Sequence, residues 1–114
     1  MGLKLSWVLD ENNTPVREPD VNKWDTFMQD IDKRRVARDV LMDGTLISTV
    51  FIGIDCSLGL SRPKFFETIV RVKRSPSIDI AGYAATWAEA EKLHKETVDK
   101  LKATYEGWLE EEND

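Results

Sequence analysis

The chain has 114 residues, of which 41% are hydrophobic and 32% are charged, and its formal net charge is −5. This length predicts a single domain, residues 1–114, that buries a core without a disulfide or a metal. The acidic balance argues against a broad affinity for nucleic acid, because phosphate binding requires clustered Lys and Arg.

The chain has a single cysteine, Cys56, so it cannot form an internal disulfide. This indicates that the protein works in a reducing compartment such as the cytoplasm. No apolar run approaches the roughly 20 residues of a membrane-spanning helix. Lys4 and Ser6 interrupt the apolar residues of the N-terminus, so no secretory signal is predicted. We therefore expect a cytoplasmic protein without a membrane contact.

A strand and a short helix are predicted in the first third of the chain. Apolar and polar residues alternate over residues 3–9, as in a half-buried strand, and the turn-forming residues 10–15 end it. Asp20 is a suitable N-cap for the helix, which is expected to end at residues 32–34. The apolar positions of this helix are Val21, Trp24, Phe27, Met28 and Ile31.

Three further strands are predicted over residues 35–42, 45–55 and 65–73. Asp43-Gly44 fits a two-residue hairpin turn, because Gly tolerates a positive φ and Asp permits it. The pairs that this turn sets are Arg38 with Thr49 and Val36 with Phe51.

The strand over residues 46–54 carries apolar residues on both faces. This predicts either a central strand covered on both sides, or a strand whose uncovered side is partly apolar. Another strand over residues 78–83 is left open, since Gly82 weakens that assignment.

The last third predicts a long helix that begins at a capping box, in which Thr86 and Glu89 bond free amides of the first turn. Its acidic tail, residues 110–114, is expected to fray because negative charge is unfavourable at a helix C-terminus. Its apolar stripe comprises Trp87, Ala90, Leu93, His94, Val98, Leu101, Tyr105 and Trp108.

The order of these elements, β-α-β-β-β-(β)-α, predicts an α+β fold. We expect an antiparallel sheet of four to five strands with the long C-terminal helix packed on one face. No motif of known chemistry accompanies it: the sequence has no Gly-rich phosphate loop, no HExxH and no G-x-S-x-G. With one Cys and one His, a zinc site built from those residues is excluded, and no cofactor is expected.

The assumed strand register predicts a cluster of polar side chains. A slip of one residue in that register would dissolve the cluster. That register pairs Ile54 with Phe66, Ile52 with Thr68, Gly53 with Glu67 and Thr49 with Arg71, with Leu46 and Val50 also facing the core. The opposite face would gather Arg38, Thr49, Asp55, Glu67 and Arg71, beside Val36, Phe51 and Ile69. Two arginines there would clamp an anion of a ligand or partner. The alternative is cross-strand pairing on a solvated face.

His94 lies on the apolar stripe of the long helix, and it would act as a base only beside a carboxylate such as Asp55 or Glu67. The alternative is a histidine at the edge of the core, which binds backbone carbonyls or water. Cys56 would be a nucleophile only if it met His94 and its thiol pKa fell. The alternative is an ordinary buried or loop cysteine.

A resemblance to known proteins is carried by residues 48–55, which read S-T-V-F-I-G-I-D, by Phe66-Glu67-Thr68, and by residues 86–90 followed by His94. Residues 7–12 with Pro15-Val16 extend it, so it covers about residues 7–101. These segments are similar to a group of small phage and prophage proteins with the pattern S-T-V-F-L-G-L-D-H, F-E-T and S-T-x-E-E-A. That group tends to have His where this chain has Cys56.

The resemblance implies a phage-encoded accessory protein that works in the cytoplasm of a bacterial host. The first hypothesis is a non-enzymatic module that binds a host or phage protein, with an anti-defence role as one form of it. The second is a small enzyme or a nucleotide- or anion-binding protein that uses the polar sheet face. The third is a virion or assembly component. A homo-oligomer is compatible with each of them.

Overall fold

The computed structural model describes residues 6–57, 59, 61–73 and 75–113, with side chains described up to Thr104. Its elements, in chain order, are β1 (Trp7–Leu9), β2 (Pro15–Arg17), α1 (Val21–Met28), α2 (Ile31–Arg34), β3 (Arg35–Val40), β4 (Leu46–Phe51), β5 (Phe66–Arg71), β6 (Asp79–Ala84) and α3 (Trp87–Asn113).

The predicted α+β fold is confirmed. Strands β3, β4, β5 and β6 form one antiparallel sheet in sequence order, and α3 packs across one face of it. The predicted first strand is not part of this sheet, because β1 pairs with β2 in a separate hairpin; residues 3–5 of that prediction lie outside the described residues.

The strand that the sequence left open is β6, which pairs with β5. Gly82 does not break it, since this glycine lies where α3 approaches the sheet: a Cβ added at Gly82 would come within 3.2 Å of a methyl group of Leu93. A glycine inside a strand is typical of such a close approach.

The predicted helix over residues 20–34 is divided into two. Asp20 caps α1 as expected, accepting hydrogen bonds from the amides of Asn22 and Lys23. The helix ends at Gln29, and Asp30 then caps α2 by accepting from the amide of Lys33. The break follows from the short polar side chain of Asp30, which offers the backbone an alternative to a continuous helix.

The N-terminal elements are fastened to one end of the sheet by backbone oxygens. The amide of Trp7 donates to the Gly53 oxygen over 2.9 Å, and the indole nitrogen of Trp24 donates to the same oxygen over 3.1 Å. The guanidinium of Arg34 donates to the oxygens of Phe51 and Met28. The turn at Gly53 is therefore the junction of both parts of the fold.

The hairpin between β3 and β4 differs from the prediction. The amide of Leu41 donates to the Thr45 oxygen over 2.8 Å, so three residues, 42–44, form the loop instead of two. Gly44 occupies the left-handed region with φ of +89°, as in the three-residue hairpin loop that also requires a glycine. The Asp43 carboxylate accepts from the amide of Thr45 over 2.8 Å, which lowers the pKa of Asp43.

This loop changes the register, because one residue of slip turns a strand over. Arg38 pairs with Ser48 rather than Thr49, and Ala37 pairs with Thr49 next to a β-bulge in β3. Between β4 and β5, Thr49 pairs with Thr68 and Phe51 with Phe66. The predicted pairs Arg38–Thr49, Val36–Phe51, Arg71–Thr49, Glu67–Gly53, Ile52–Thr68 and Ile54–Phe66 are therefore wrong.

The core face of β4 is consequently the one that was expected to be polar. Ile47, Thr49 and Phe51 are fully buried under α3, whereas Leu46 and Val50 lie on the opposite side and are half-buried. Ile52 is half-buried beyond the strand, and Ile54 is exposed. The hydrophobic core comprises Leu9, Phe51, Phe65, Phe66, Ala84 and Ala90, with Trp7, Phe27, Val36 and Trp87 packed against it.

The capping box of α3 forms as predicted at its hydroxyl end, where Thr86 accepts from the amide of Glu89 over 3.1 Å. The Glu89 carboxylate accepts from the amide of Ala85, one residue before the expected donor. Helix α3 continues through Asn113 into the acidic tail. The side chains of Tyr105 and Trp108 lie outside the described residues.

We predict that Gly53→Ala destabilises the fold by about 2 kcal/mol or more. Gly53 has φ of +76°, and a Cβ there would overlap the thioether of Met28 and lie 3.2 Å from the indole nitrogen of Trp24. The methionine can yield, but the indole is held by its hydrogen bond to the Gly53 oxygen. Unfolding in urea measures the loss.

The matched control is Gly59→Ala, which carries the same backbone strain, with φ of +77°; beyond its chain neighbours, no atom of the described residues lies within 4 Å of the added Cβ. We expect it to cost about 1 kcal/mol. An equal loss for both variants would contradict the role of Gly53 as a packed junction.

Candidate functional site

A chain of polar side chains joins α3 to three strands and runs from the buried Thr68 to Asp39, whose side chain is 51% exposed. The Nε2 atom of His94 lies 2.7 Å from an Asp39 oxygen, and its Nδ1 atom lies 2.8 Å from the hydroxyl of Thr49. That hydroxyl lies 2.6 Å from the hydroxyl of Thr68. Thr49 and Thr68 are 0% exposed and His94 is 4% exposed. We name these four residues the polar relay.

When the His94 ring is neutral, the direction of the protons in the polar relay follows from its one carboxylate end. A carboxylate only accepts, so Nε2–H of His94 donates to Asp39. In the neutral ring Nδ1 is then an acceptor and receives the hydroxyl hydrogen of Thr49, whose oxygen accepts in turn from Thr68. Every buried group has a partner in this arrangement, in agreement with the absence of unpaired buried side-chain atoms among the described residues.

The order carboxylate, imidazole, hydroxyl is also that of hydrolases with a nucleophilic hydroxyl. Thr49 lacks the access that such chemistry requires, because it is fully buried between α3 and the sheet. A small cleft of about 320 Å³ opens beside the relay, and its lining includes Asp39 and His94 but neither threonine. The relay is therefore suited to holding the helix on the sheet, and no substrate can meet its hydroxyl in this structure.

The predicted polar cluster is divided between the two sides of the sheet. Thr49 and His94 belong to the polar relay under α3, and the predicted partners of His94, Asp55 and Glu67, are replaced by Asp39 and Thr49. Arg38, Glu67 and Arg71 do share one side, the side opposite α3, because Arg38 lies in one row with Ser48 and Ile69. The prediction that Phe51 lies on that side is wrong.

We name the side of the sheet opposite α3 the open face. Val40 and Ile80 lie on its two edge strands and are 55% and 54% exposed. Between them lie half-buried side chains of β4, β5 and β6, namely Leu46, Val50, Ile69 and Tyr83. The charged residues on its strands include Arg38, Glu67 and Arg71, and Arg35 pairs with Val50 at its edge. No other described element packs on this side as α3 does on the first.

Asp55 organises the loop after β4 instead of joining the open face. Its carboxylate accepts from the amides of Ser57 and Lys64, each over 2.9 Å. Partial burial opposes the charge, but these hydrogen bonds outweigh it and lower the pKa of Asp55. This is the function of an Asx turn, which ties a loop to itself.

Cys56 follows in the same loop and is exposed. Desolvation raises the pKa of its thiol, and the neighbouring carboxylates of Glu67 and Asp55 raise it further. Both ring nitrogens of His94 are occupied by Asp39 and Thr49. The hypothetical Cys56–His94 pair is thus not formed, and the thiol lacks the low pKa of a nucleophile.

A polar group closes the end of the open face near this loop. Desolvation raises the pKa of Tyr83, and the neighbouring negative charge of Glu67 raises it further. The ammonium of Lys64 lies 5.1 Å from the centre of the Tyr83 ring, within the range of a cation–π contact. Sequence reasoning missed Tyr83 here, as it missed Asp39 and Thr68 in the relay, because each depends on the strand register.

A cleft of about 500 Å³ lies between the β1–β2 hairpin, the two short helices and α3. Phe27 and Trp87 form part of its wall, and charges of both signs surround it. The carboxylate of Asp10 accepts from the amides of Asn12 and Thr14, and Asp32 is paired with Arg35. These charges thus serve the local fold, and no acid–base pair converges there.

Among the described residues, no group of His, Cys, Asp and Glu side chains is placed to hold a metal ion. In the same part of the chain, no helix combines the length and apolar character needed to cross a membrane. Comparison with known proteins gave no matching family model, no matching curated protein and no matching solved structure.

We predict that Thr49→Val destabilises the fold by about 2–4 kcal/mol, because it leaves Nδ1 of His94 without a donor and the Thr68 hydroxyl without an acceptor. Thr68→Val removes only a donor to Thr49 and should cost about 1 kcal/mol. Urea unfolding of both variants gives the comparison. A loss for Thr68→Val as large as that for Thr49→Val would contradict this direction, because it would mean that Thr68 accepts from the Thr49 hydroxyl.

The lowered pKa of Asp55 predicts a loss of stability in acid. A carboxylate with a folded pKa below its unfolded value stabilises the fold above the unfolded pKa, about 3.9, and this contribution is lost as the pH falls through the folded pKa. Unfolding free energies between about pH 5 and about pH 2 should therefore fall less steeply for Asp55→Asn than for wild type. Glu11→Gln, in the exposed β1–β2 turn, is the control; an unchanged slope in Asp55→Asn would refute the assignment.

Proposed function

We propose that this protein is a binding module whose open face docks onto another protein. The observation that carries the proposal is the apolar character of that face. An antiparallel sheet that faces water on one side normally alternates apolar and polar residues, with the polar set outside. Here Val40, Val50, Ile69 and Ile80 occupy the outside positions, and contiguous exposed apolar surface marks an interaction site.

The charges of the open face support a protein partner over a small anion. Arg38 lies on β3 and Arg71 on β5, two strands and one row apart, so their Cα atoms are about 12 Å from each other. The strand between them contributes Leu46 and Ser48. Arginines on separate strands, with the apolar Leu46 between them, offer a protein surface both acidic and apolar contacts, whereas a small anion would use the charges alone.

The burial of the polar relay argues against the enzymatic alternative. Its hydroxyls are inaccessible, and the thiol of Cys56 is not activated. Arg38 and Arg71, which the sequence suggested as an anion site, are instead proposed as charged contacts of the docking surface. A virion or assembly role has no specific observation in its favour.

The setting proposed from the sequence resemblance is a phage or prophage accessory role in the cytoplasm of a bacterial host. A host or phage protein is then the partner of the open face, and interference with a host defence is one such role. The mild net acidity of the chain fits a partner with basic patches outside the docking surface and argues against nucleic acid.

The test uses variants matched for exposure. Val40→Asp/Ile80→Asp changes residues that are 55% and 54% exposed on the open face, and Val21→Asp/Ile31→Asp changes residues that are 52% and 42% exposed on the helices. A partner captured from host lysate by the wild type is purified and titrated against each. We expect the open-face variant to bind at least about tenfold more weakly, a loss of about 1.4 kcal/mol.

The control variant should bind as wild type does, and both should unfold at wild-type urea concentrations. Equal binding by wild type and the open-face variant would refute the proposal, and weaker binding by the helix variant would move the docking surface to the N-terminal elements.

A further inference from the structure

We infer that the open face pairs with the open face of a second copy of this chain, in a two-fold dimer where Arg71 of each copy meets Glu67 of the other. The inference rests on the proposed function, since it names the first occupant of the same docking surface. Its basis is the distribution of charge along β5.

Strand β5 presents Glu67, Ile69 and Arg71 in alternate positions on the open face. The acid and the base therefore lie at equal distances on either side of Ile69. A two-fold axis that crosses the strands at the level of Ile69 reverses the direction of β5 in the second copy. It then stacks isoleucine on isoleucine and places Arg71 over Glu67 twice, as an isologous interface requires.

The same axis suits the neighbouring strand. In β4, Ser48 lies at the level of Ile69, with Leu46 and Val50 on either side of it. The reversal places Leu46 of one copy over Val50 of the other, so apolar side chains meet apolar side chains. The other axis that brings two such faces together runs along the strands, and it would place Glu67 over Val50, burying a carboxylate against a valine at a cost.

Glu67 has Tyr83 as its cross-strand neighbour in β6 on the open face, and its side chain is half-buried there. Arg38 lies on the edge strand and is exposed. Because stacked sheets cross at about 30°, the two copies of Arg38 diverge at that edge, where water screens them.

The size of the face predicts a weak dimer. Four strands about 4.8 Å apart and six residues long cover a patch of about 20 Å by 20 Å. This is less than the roughly 800 Å² per partner of a standard stable interface. The pairing should therefore be concentration-dependent, so that a different protein can displace the second copy.

The experiment is sedimentation equilibrium of the full chain between about 1 µM and about 1 mM. We expect wild type to dimerise within this range and Arg71→Glu and Glu67→Arg each to weaken dimerisation at least about tenfold. The double variant Arg71→Glu/Glu67→Arg should return to within about threefold of wild type, because the exchanged charges meet again.

Lys92→Glu, a charge reversal at a side chain 78% exposed on α3, is the control and should dimerise as wild type does. Circular dichroism checks that each variant is folded. If a charge-reversed variant does not fold, the neutral variant Arg71→Gln or Glu67→Gln replaces it, and a smaller loss of dimer affinity is expected. Val40→Asp/Ile80→Asp should remain monomeric.

Wild type that stays monomeric throughout, or a double variant that dimerises no better than the single ones, would overturn the inference. These outcomes are separate from those of the docking test. A monomeric wild type whose partner binding is lost in Val40→Asp/Ile80→Asp overturns the dimer alone. If wild type dimerises with the expected charge dependence but the partner protein binds Val40→Asp/Ile80→Asp as tightly as wild type, only the proposed docking function is overturned.

Discussion

The hydrogen bonds of His94 are the constraint on which the arrangement of this protein depends. His94 lies on the apolar stripe of α3. Its imidazole is hydrogen-bonded to Asp39 in β3 and to Thr49 in β4, and Thr49 is hydrogen-bonded to Thr68 in β5. Packing, including that of Leu93 over Gly82, already favours one position of α3 on the sheet, and the polar relay adds to this preference. A buried donor or acceptor left unpaired costs about 1–3 kcal/mol, so the polar relay admits one position of the helix and one register of three strands.

That constraint decides which side of the sheet remains open. Leu46 to Phe51 carries two sets of residues that are nearly equal in hydrophobicity, so burial of either set would be favourable. Thr49 can enter the core because the relay satisfies its hydroxyl, and Ile47 and Phe51 enter with it. Leu46 and Val50 are left on the other side, where they meet no described element. The apolar open face is thus a consequence of how the helix is fastened.

Some features could be predicted because they depend on local sequence. The Asp20 cap, the Thr86 hydroxyl cap and the apolar stripe through His94 each follow from residues within one or two helical turns. The α+β order followed from the same signals. The register could not be predicted, since Asp43-Gly44 fits a two-residue loop and a three-residue loop equally well, and the Asp43 bond to Thr45 that accompanies the longer loop is invisible in a hydrophobic pattern. Thr49 was placed outside because the alternate residues Leu46, Val50, Ile52 and Ile54 were assigned to the core, and its buried role needs His94, 45 residues later.

The grouping of Arg38, Glu67 and Arg71 was nevertheless right, and the reason shows what such reasoning can reach. The assumed pairing was wrong by one residue between β3 and β4 and by three between β4 and β5. A register error of an odd number of residues exchanges the two faces of one strand relative to its neighbour. Two such errors cancel between β3 and β5, so Arg38 and Glu67 lie on the same side as predicted. They do not cancel for β4, so Thr49 lies on the other side. Residues of one strand, such as Glu67, Ile69 and Arg71, keep their common side under any register. The charge pattern within β5 is therefore a firmer basis for a docking surface than any cluster assembled across strands.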